Sequence, residues 1–171
     1  MKIRKIVVTG AFNSGKTAFV ASGSAIDIVT TERHITDARD ARIKDETTVA
    51  LDYGQARVGN TLVHLYGTPG QERFDFMWSI LSQDTDAFIL VLDSEDRSSW
   101  MEAIRILRTL RKQHRVPFLV AANKQDGRRA HSPADIADSL SLPKSVPVVP
   151  CVARDSESVR AVLQEAVALL D

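Results

Sequence analysis

Several stretches of the chain are apolar almost without interruption: Ile6-Val7-Val8 at the end of Ile3 to Val8, Ala87 to Leu92, Val116 to Ala122 and Val146 to Cys151. Runs this short and this apolar read as strands covered on both faces. A different pattern fills Thr48 to Val58, where apolar and polar positions alternate; Gly59-Asn60 marks a turn, and Thr61 to Tyr66 returns. The connection is too short for a helical crossover, so this pair is antiparallel. Helical spacing appears between the strands. Lys16 to Ser22 follows the first. Ser99-Trp100-Met101-Glu102 has capping-box spacing and leads into Ile104, Leu107 and Leu110. Pro133 follows Ser132 at a first helical position and opens Ala134 to Leu140. Asp155 to Leu170 carries Val159, Val162, Leu163, Ala166 and Leu170 on one face. Ser24 to Thr47 is polar and mixed, a connection long enough to suggest function or motion. Strands alternating with helices give an α/β fold: a doubly wound, mostly parallel six-stranded sheet with one antiparallel edge strand. Ligands bind such sheets at the carboxyl ends of the strands.

Composition changes this picture little. A chain of 171 residues suits one domain with a full core. Lys+Arg and Asp+Glu are equal at 22 each, which argues against bulk attraction to nucleic acid or membrane. Cys151 is the lone cysteine, so an internal disulfide is excluded and a reducing cytoplasm fits. No run approaches the about 20 apolar residues of a membrane span. Lys2 stands where N-myristoylation needs glycine, and Leu169-Leu170-Asp171 is no prenylation box, so no direct membrane anchor is expected.

The chemistry begins at the loop after the first strand. Gly10-Ala11-Phe12-Asn13-Ser14-Gly15-Lys16-Thr17 fits G-x-x-x-x-G-K-S/T, between a strand and a helix that also takes in Ala18. Main-chain N–H groups in such a loop converge on one concavity, and the helix N-terminus adds positive potential, so a polyphosphate is held there. Lys16 would reach the β- and γ-phosphates, and the Thr17 hydroxyl would ligate Mg²⁺. A second motif, Asn123-Lys124-Gln125-Asp126, follows another strand. An ionised carboxylate only accepts hydrogen bonds. Asp126 can take guanine's adjacent N1–H and 2-amino donors, whereas adenine would leave it unpaired. Asn123 would bridge the loop and the purine edge, with the Lys124 stem over the base plane.

With both motifs in this order, the chain resembles a small Ras-like GTPase, a P-loop NTPase with a single small G domain over residues 1–171. The resemblance implies GTP and GDP as ligands, Mg²⁺ as cofactor, and switch regions read by a protein effector and an activator. It also implies that Ala153 and Arg154, in Cys151-Val152-Ala153-Arg154, meet the base, with the Ala153 N–H on guanine O6. Thr48 matches the threonine that closes on Mg²⁺ and the γ-phosphate. Gly67-Thr68-Pro69-Gly70-Gln71-Glu72-Arg73-Phe74 matches the second switch: Gly70 would give its N–H to the γ-phosphate and Gln71 would orient the attacking water.

Gly67 departs from that pattern, for the family has an aspartate there that helps hold the Mg²⁺ shell. Asp52 is the candidate replacement, because antiparallel pairing puts it beside the end of the Leu62–Tyr66 strand. The T-x-x-x-D and T-P-G-Q pattern is similar to that of a bacterial subgroup containing the MglA polarity GTPases and conserved-operon GTPases. Their partners are often roadblock-domain proteins. Phe12 stands near the γ-phosphate, where it would restrict an arginine entering from a partner; Arg39, Arg42 and Arg73 are candidate arginines in cis. Phe74, Phe76, Met77 and Trp78 would give the second switch an apolar surface. Two alternatives stand beside a slow GTPase: a GTP-binding scaffold with little or no hydrolysis, and a P-loop kinase, which Asp126 opposes.

Overall fold

A computed structural model of the chain describes residues 1–35, 47–68 and 83–171, with the backbone alone over 29–35 and 47–50. The strands are β1 (Lys2–Thr9), β2 (Val29–Ile35), β3 (Thr47–Val58), β4 (Thr61–Gly67), β5 (Ala87–Asp93), β6 (Phe118–Asn123) and β7 (Val148–Pro150). The helices are α1 (Lys16–Gly23), α2 (Trp100–Gln113), α3 (Pro133–Ser139) and α4 (Ser156–Ala168). The strands form one sheet in the order β2-β3-β4-β1-β5-β6-β7. β4, β1, β5, β6 and β7 are parallel, and β3 runs antiparallel to β4. The doubly wound mixed sheet is therefore as expected, with one addition. β2 pairs antiparallel with β3 from Val29↔Tyr53 to Ile35↔Thr47 and takes the edge that β3 was expected to hold. That strand lies inside the supposed polar excursion.

Period-2 alternation explains why both faces of the sheet are dry. Ile6, Val8, Ile89, Val91, Leu119 and Ala121 point to one side, where Phe19 and Val20 of α1 and Val159, Val162 and Leu163 of α4 cover them. Val7, Phe88, Leu90, Leu92, Val120 and Ala122 point to the other, under Trp100, Ile106 and Leu110 of α2 and Ile136 of α3. Every residue of β5 and β6 is buried, as a two-sided sheet demands. The two cores fix the strands from whose carboxyl ends the site residues leave.

The helix starts differ from expectation in one place. Ser132 caps α3, accepting from Asp135 N–H at 3.2 Å with Pro133 in the first turn, and Asp155 caps α4. Ser99 makes no side-chain cap. A short 3₁₀ turn, Arg97–Ser99, precedes α2, and Asp96 caps it by accepting from Ser98 N–H at 3.1 Å. The Ser99 hydroxyl instead donates to the Asp96 carbonyl. With Ser99 already in helical φ/ψ, the capping-box geometry cannot form. Among the described residues, no helix is long and apolar enough to cross a membrane.

Candidate functional site

The loop between β1 and α1 wraps by conformations that favour glycine. Gly10 has φ +151°, Asn13 +62° and Gly15 +104°. A Cβ on Gly10 would run into the Val91 carbonyl and stand 2.8 Å from Ser14 Oγ; one on Gly15 would run into the Asn123 amide nitrogen. The loop thus sits directly on β5 and β6, and only glycine permits the approach. Lys16 folds back under the loop, its Nζ donating to the Gly10 and Ala11 carbonyls at 2.8 Å each. Burial pushes its ammonium down to about 8, against the opposing pull of the Glu102 and Asp52 carboxylates.

Asn123 is the keystone. It is almost fully buried, donates from Nδ2 to the Ser14 carbonyl at 2.8 Å, and accepts at Oδ1 from Ala153 N–H at 2.8 Å. One carboxamide therefore ties together the loops after β1, β6 and β7. The Ala153 amide, expected to meet guanine O6, donates here to Asn123 Oδ1. Asn123 thus spans to the phosphate loop at Ser14 and to the loop after β7 at Ala153. Lys124, at φ +64°, spans to Asp93 Oδ2 at 2.6 Å and to the Asn13 carbonyl at 3.2 Å. Gln125 braces the loop from behind, donating to Ser94 Oγ and the His131 carbonyl.

These loops enclose a cavity of about 750 Å³, whose wall includes Asn13, Gly15, Lys16, Thr17 and Ala18 at one end and Asn123, Lys124, Asp126, Ala153 and Arg154 at the other. Gly10, Ala11 and Ser14 of the same loop are buried. Phe12, 61% exposed, stands on the rim, and Thr68 closes the inner wall, its hydroxyl donating to Thr9 Oγ1. The volume and the convergent polar groups suit a nucleotide-sized ligand.

Asp52 also lines the cavity. It lies opposite Gly67 in the β3–β4 ladder, and its Oδ2 accepts from the Thr17 hydroxyl at 2.7 Å. A Cβ on Gly67 would stand 3.2 Å from Asp52 Cβ and 3.5 Å from Oδ2. Asp52 therefore fills the space in front of position 67 and touches the residue expected on the metal. Two hard oxygen donors side by side fit Mg²⁺, which prefers one or two protein oxygens with the rest from water and phosphate. Among the described residues, no three His, Cys, Asp or Glu side chains converge on a metal position.

Thr48 is not brought to this point. Its backbone lies in β3, paired with His34 of β2. It lies four residue steps along the strand from Asp52, about 13 Å at about 3.3 Å per residue. Gly70, Gln71, Arg39, Arg42, Arg73, Phe74, Phe76, Met77 and Trp78 lie outside the described residues.

Sequence reasoning assigned no role to Asp93, which braces the cavity residues Lys124 and Glu95, nor to Glu95 itself. Asp93 holds Lys124 with one oxygen and accepts Glu95 N–H at 2.9 Å with the other. The signal was there, an acidic residue ending a buried strand on the ligand side of the sheet. Glu95 lies in the cavity wall and gave no sign in the sequence.

The ADP-ribosylation factor family model matches residues 1–170. The chain is 30% identical over 122 residues to an uncharacterized protein of Methanocaldococcus jannaschii, covering 71% of this chain and 70% of that one. It is 30% identical over 141 residues to ADP-ribosylation factor-like protein 3 of Caenorhabditis elegans, covering 81% and 70%. Against ADP-ribosylation factor F of Dictyostelium discoideum, identity is 31% over 88 residues, 48% of this chain and 46% of that one.

Proposed function

The chain belongs to the ADP-ribosylation factor family of small Ras-like GTPases, and on that premise we propose that it is a cytoplasmic switch of one G domain that binds guanine nucleotide with Mg²⁺ and hydrolyses GTP to GDP and phosphate. One observation carries the reading: the Asn123 carboxamide ties the phosphate loop to the base-reading loops across a single cavity. A triphosphate at the Lys16 end then lies in reach of a purine at the Asp126 end.

The residues divide the work. Main-chain amides of Asn13 to Ala18 and the Lys16 ammonium stabilise charge on the transferring phosphoryl group. Thr17 and Asp52 would hold Mg²⁺, which when bound would supply positive charge against that of the phosphates. Gln71 orients the attacking water and Gly70 donates its N–H to the γ-phosphate. Asp126 reads the base, with Asn123, Lys124, Ala153 and Arg154 shaping its pocket.

Thr48 supplies the switch. To reach the γ-phosphate it must leave its pairing with His34, so the triphosphate state competes with the β2–β3 ladder. A protein effector then reads the difference. Hydrolysis is slow without an activator, as in small GTPases whose catalytic arginine is supplied in trans. The T-x-x-x-D and T-P-G-Q pattern supports a likeness to the MglA subgroup and a roadblock-domain activator. The exposed Phe12 favours the second reading, a scaffold with little hydrolysis, because it crowds an incoming arginine.

The test is Asp126→Asn. An asparagine offers one donor and one acceptor, which complement the C2 carbonyl and N1–H of xanthine. Preference should move from GTP to xanthosine triphosphate, with GTP affinity down about 100-fold. An unchanged preference refutes the base reading. Single-turnover hydrolysis with and without a candidate activator separates switch from scaffold.

A further inference from the structure

We propose that Glu95 is a second base-reading carboxylate, accepting the hydrogen of guanine's 2-amino group that Asp126 leaves unpaired. The inference rests on the guanine reading above and extends it to a residue outside the N-K-x-D motif.

Three observations carry it. First, Glu95 is in the wall of the cavity together with Lys124, Asp126 and Gly127, and it is exposed. Second, its side chain lies across Gly127, the residue directly after Asp126. A Cβ at 127 would coincide with the Glu95 carboxylate and stand 2.9 Å from its Cγ. The glycine is thus the seat of the glutamate, and any side chain there would evict it. Third, the backbone of Glu95 is fixed by a side chain that also holds a cavity residue. Its N–H donates to Asp93 Oδ1 while Asp93 Oδ2 holds Lys124, so one buried carboxylate sets the positions of both.

The chemistry requires a second acceptor. Guanine offers three hydrogens on its N1 and 2-amino groups. A carboxylate at 126 takes N1–H and one amino hydrogen, and both its oxygens are then engaged. The remaining amino hydrogen needs an acceptor of its own, and an ionised carboxylate is the strongest that a side chain supplies.

The discriminating ligand is inosine triphosphate, which lacks only the 2-amino group. Affinities for GTP, inosine triphosphate and 2′-deoxy-GTP would be measured by competition against a fluorescent GDP at fixed Mg²⁺. Glu95→Ala should shrink the GTP-over-inosine preference about five- to tenfold, leaving inosine triphosphate affinity unchanged. Gly127→Ala, which leaves the carboxylate in the chain but displaces it, should do the same. Glu95→Gln, a neutral acceptor of the same length, should keep part of the preference. Equal losses for GTP and inosine triphosphate would mean that Glu95 only supports the loop, and a change confined to the GTP-over-deoxy ratio would mean that it reads the ribose; either result overturns the proposal. If Asp126→Asn shifts base preference while the Glu95 variants do not, this inference alone falls. If Asp126→Asn shifts nothing, the guanine reading falls and this one with it.

Discussion

Replacing Asp52 with alanine tests how this chain manages without an aspartate at Gly67. The structure gives the magnitude. Asp52 Oδ2 accepts from Thr17 Oγ1 at 2.7 Å, at the edge of the phosphate loop. Removing a carboxylate so placed from the Mg²⁺ shell forfeits a contact on the order of one charge-assisted hydrogen bond, about 1.5–3 kcal/mol. Asp52 is only partly buried, so the lower part of that range applies, about 1.5–2 kcal/mol or roughly 10–30-fold in affinity. The assay is GDP and GTP affinity by competition, across a magnesium titration and in excess chelator. The expected result is a 10–30-fold loss with Mg²⁺ and almost none in chelator, with half-saturating Mg²⁺ raised by a similar factor. Asp52→Asn, which keeps shape but not charge, should fall between. An equal loss with and without magnesium would show that Asp52 only positions Thr17, and wild-type magnesium dependence would refute the replacement outright.

Lys16 makes the site sensitive to alkaline pH. Burial lowers its folded value to about 8 from an ordinary 10.5. A group depressed in this way carries its destabilisation fully below about 8 and sheds it as pH rises toward 10.5, so protein stability gains over that window. A triphosphate favours the charged form, so nucleotide affinity should move oppositely, falling as pH rises above about 8 with up to tenfold loss per unit; calorimetry in buffers of different ionisation enthalpy should show proton uptake on binding there. Asn123→Ala leaves the Ser14 carbonyl and the Ala153 amide without their partner. It should cost about 2–4 kcal/mol in thermal or urea unfolding and weaken GTP and inosine triphosphate alike, since it loosens the frame and leaves the base contacts themselves intact. Gly15→Ala, at φ +104° with Asn123 in the way, should reproduce the nucleotide loss, and wild-type binding would contradict the close approach.

What the chain reveals before folding depends on how local the cause is. β5 and β6 were legible because a strand buried on both faces has no choice but to be apolar. Asp52 was legible because a two-residue turn at Gly59-Asn60 fixes the β3–β4 register, and with it the partner of Gly67. β2 was not. Its residues, Val29-Thr30-Thr31-Glu32-Arg33-His34-Ile35, include polar and charged ones that suit the edge of a sheet, where charge is protective. The α2 start was misread for a similar reason: Asp96 and Ser99 both suit a cap, and the 3₁₀ turn that decides between them depends on the chain leaving β5. Ala153 and Glu95 are set by contacts across 30 residues or more of chain, with Asn123 and Gly127, and no periodicity reports those.

The shared carboxamide of Asn123 has a thermodynamic corollary. Fragments of the ligand, a free nucleoside or a bare pyrophosphate, each meet only half of a frame whose halves are mechanically one. Neither fragment can tighten its own end without working on the other, so the whole nucleotide should gain far more than the sum of its pieces. Departure would then tend to be a single event in which both ends let go together. An exchange factor would need to pry at only one of them.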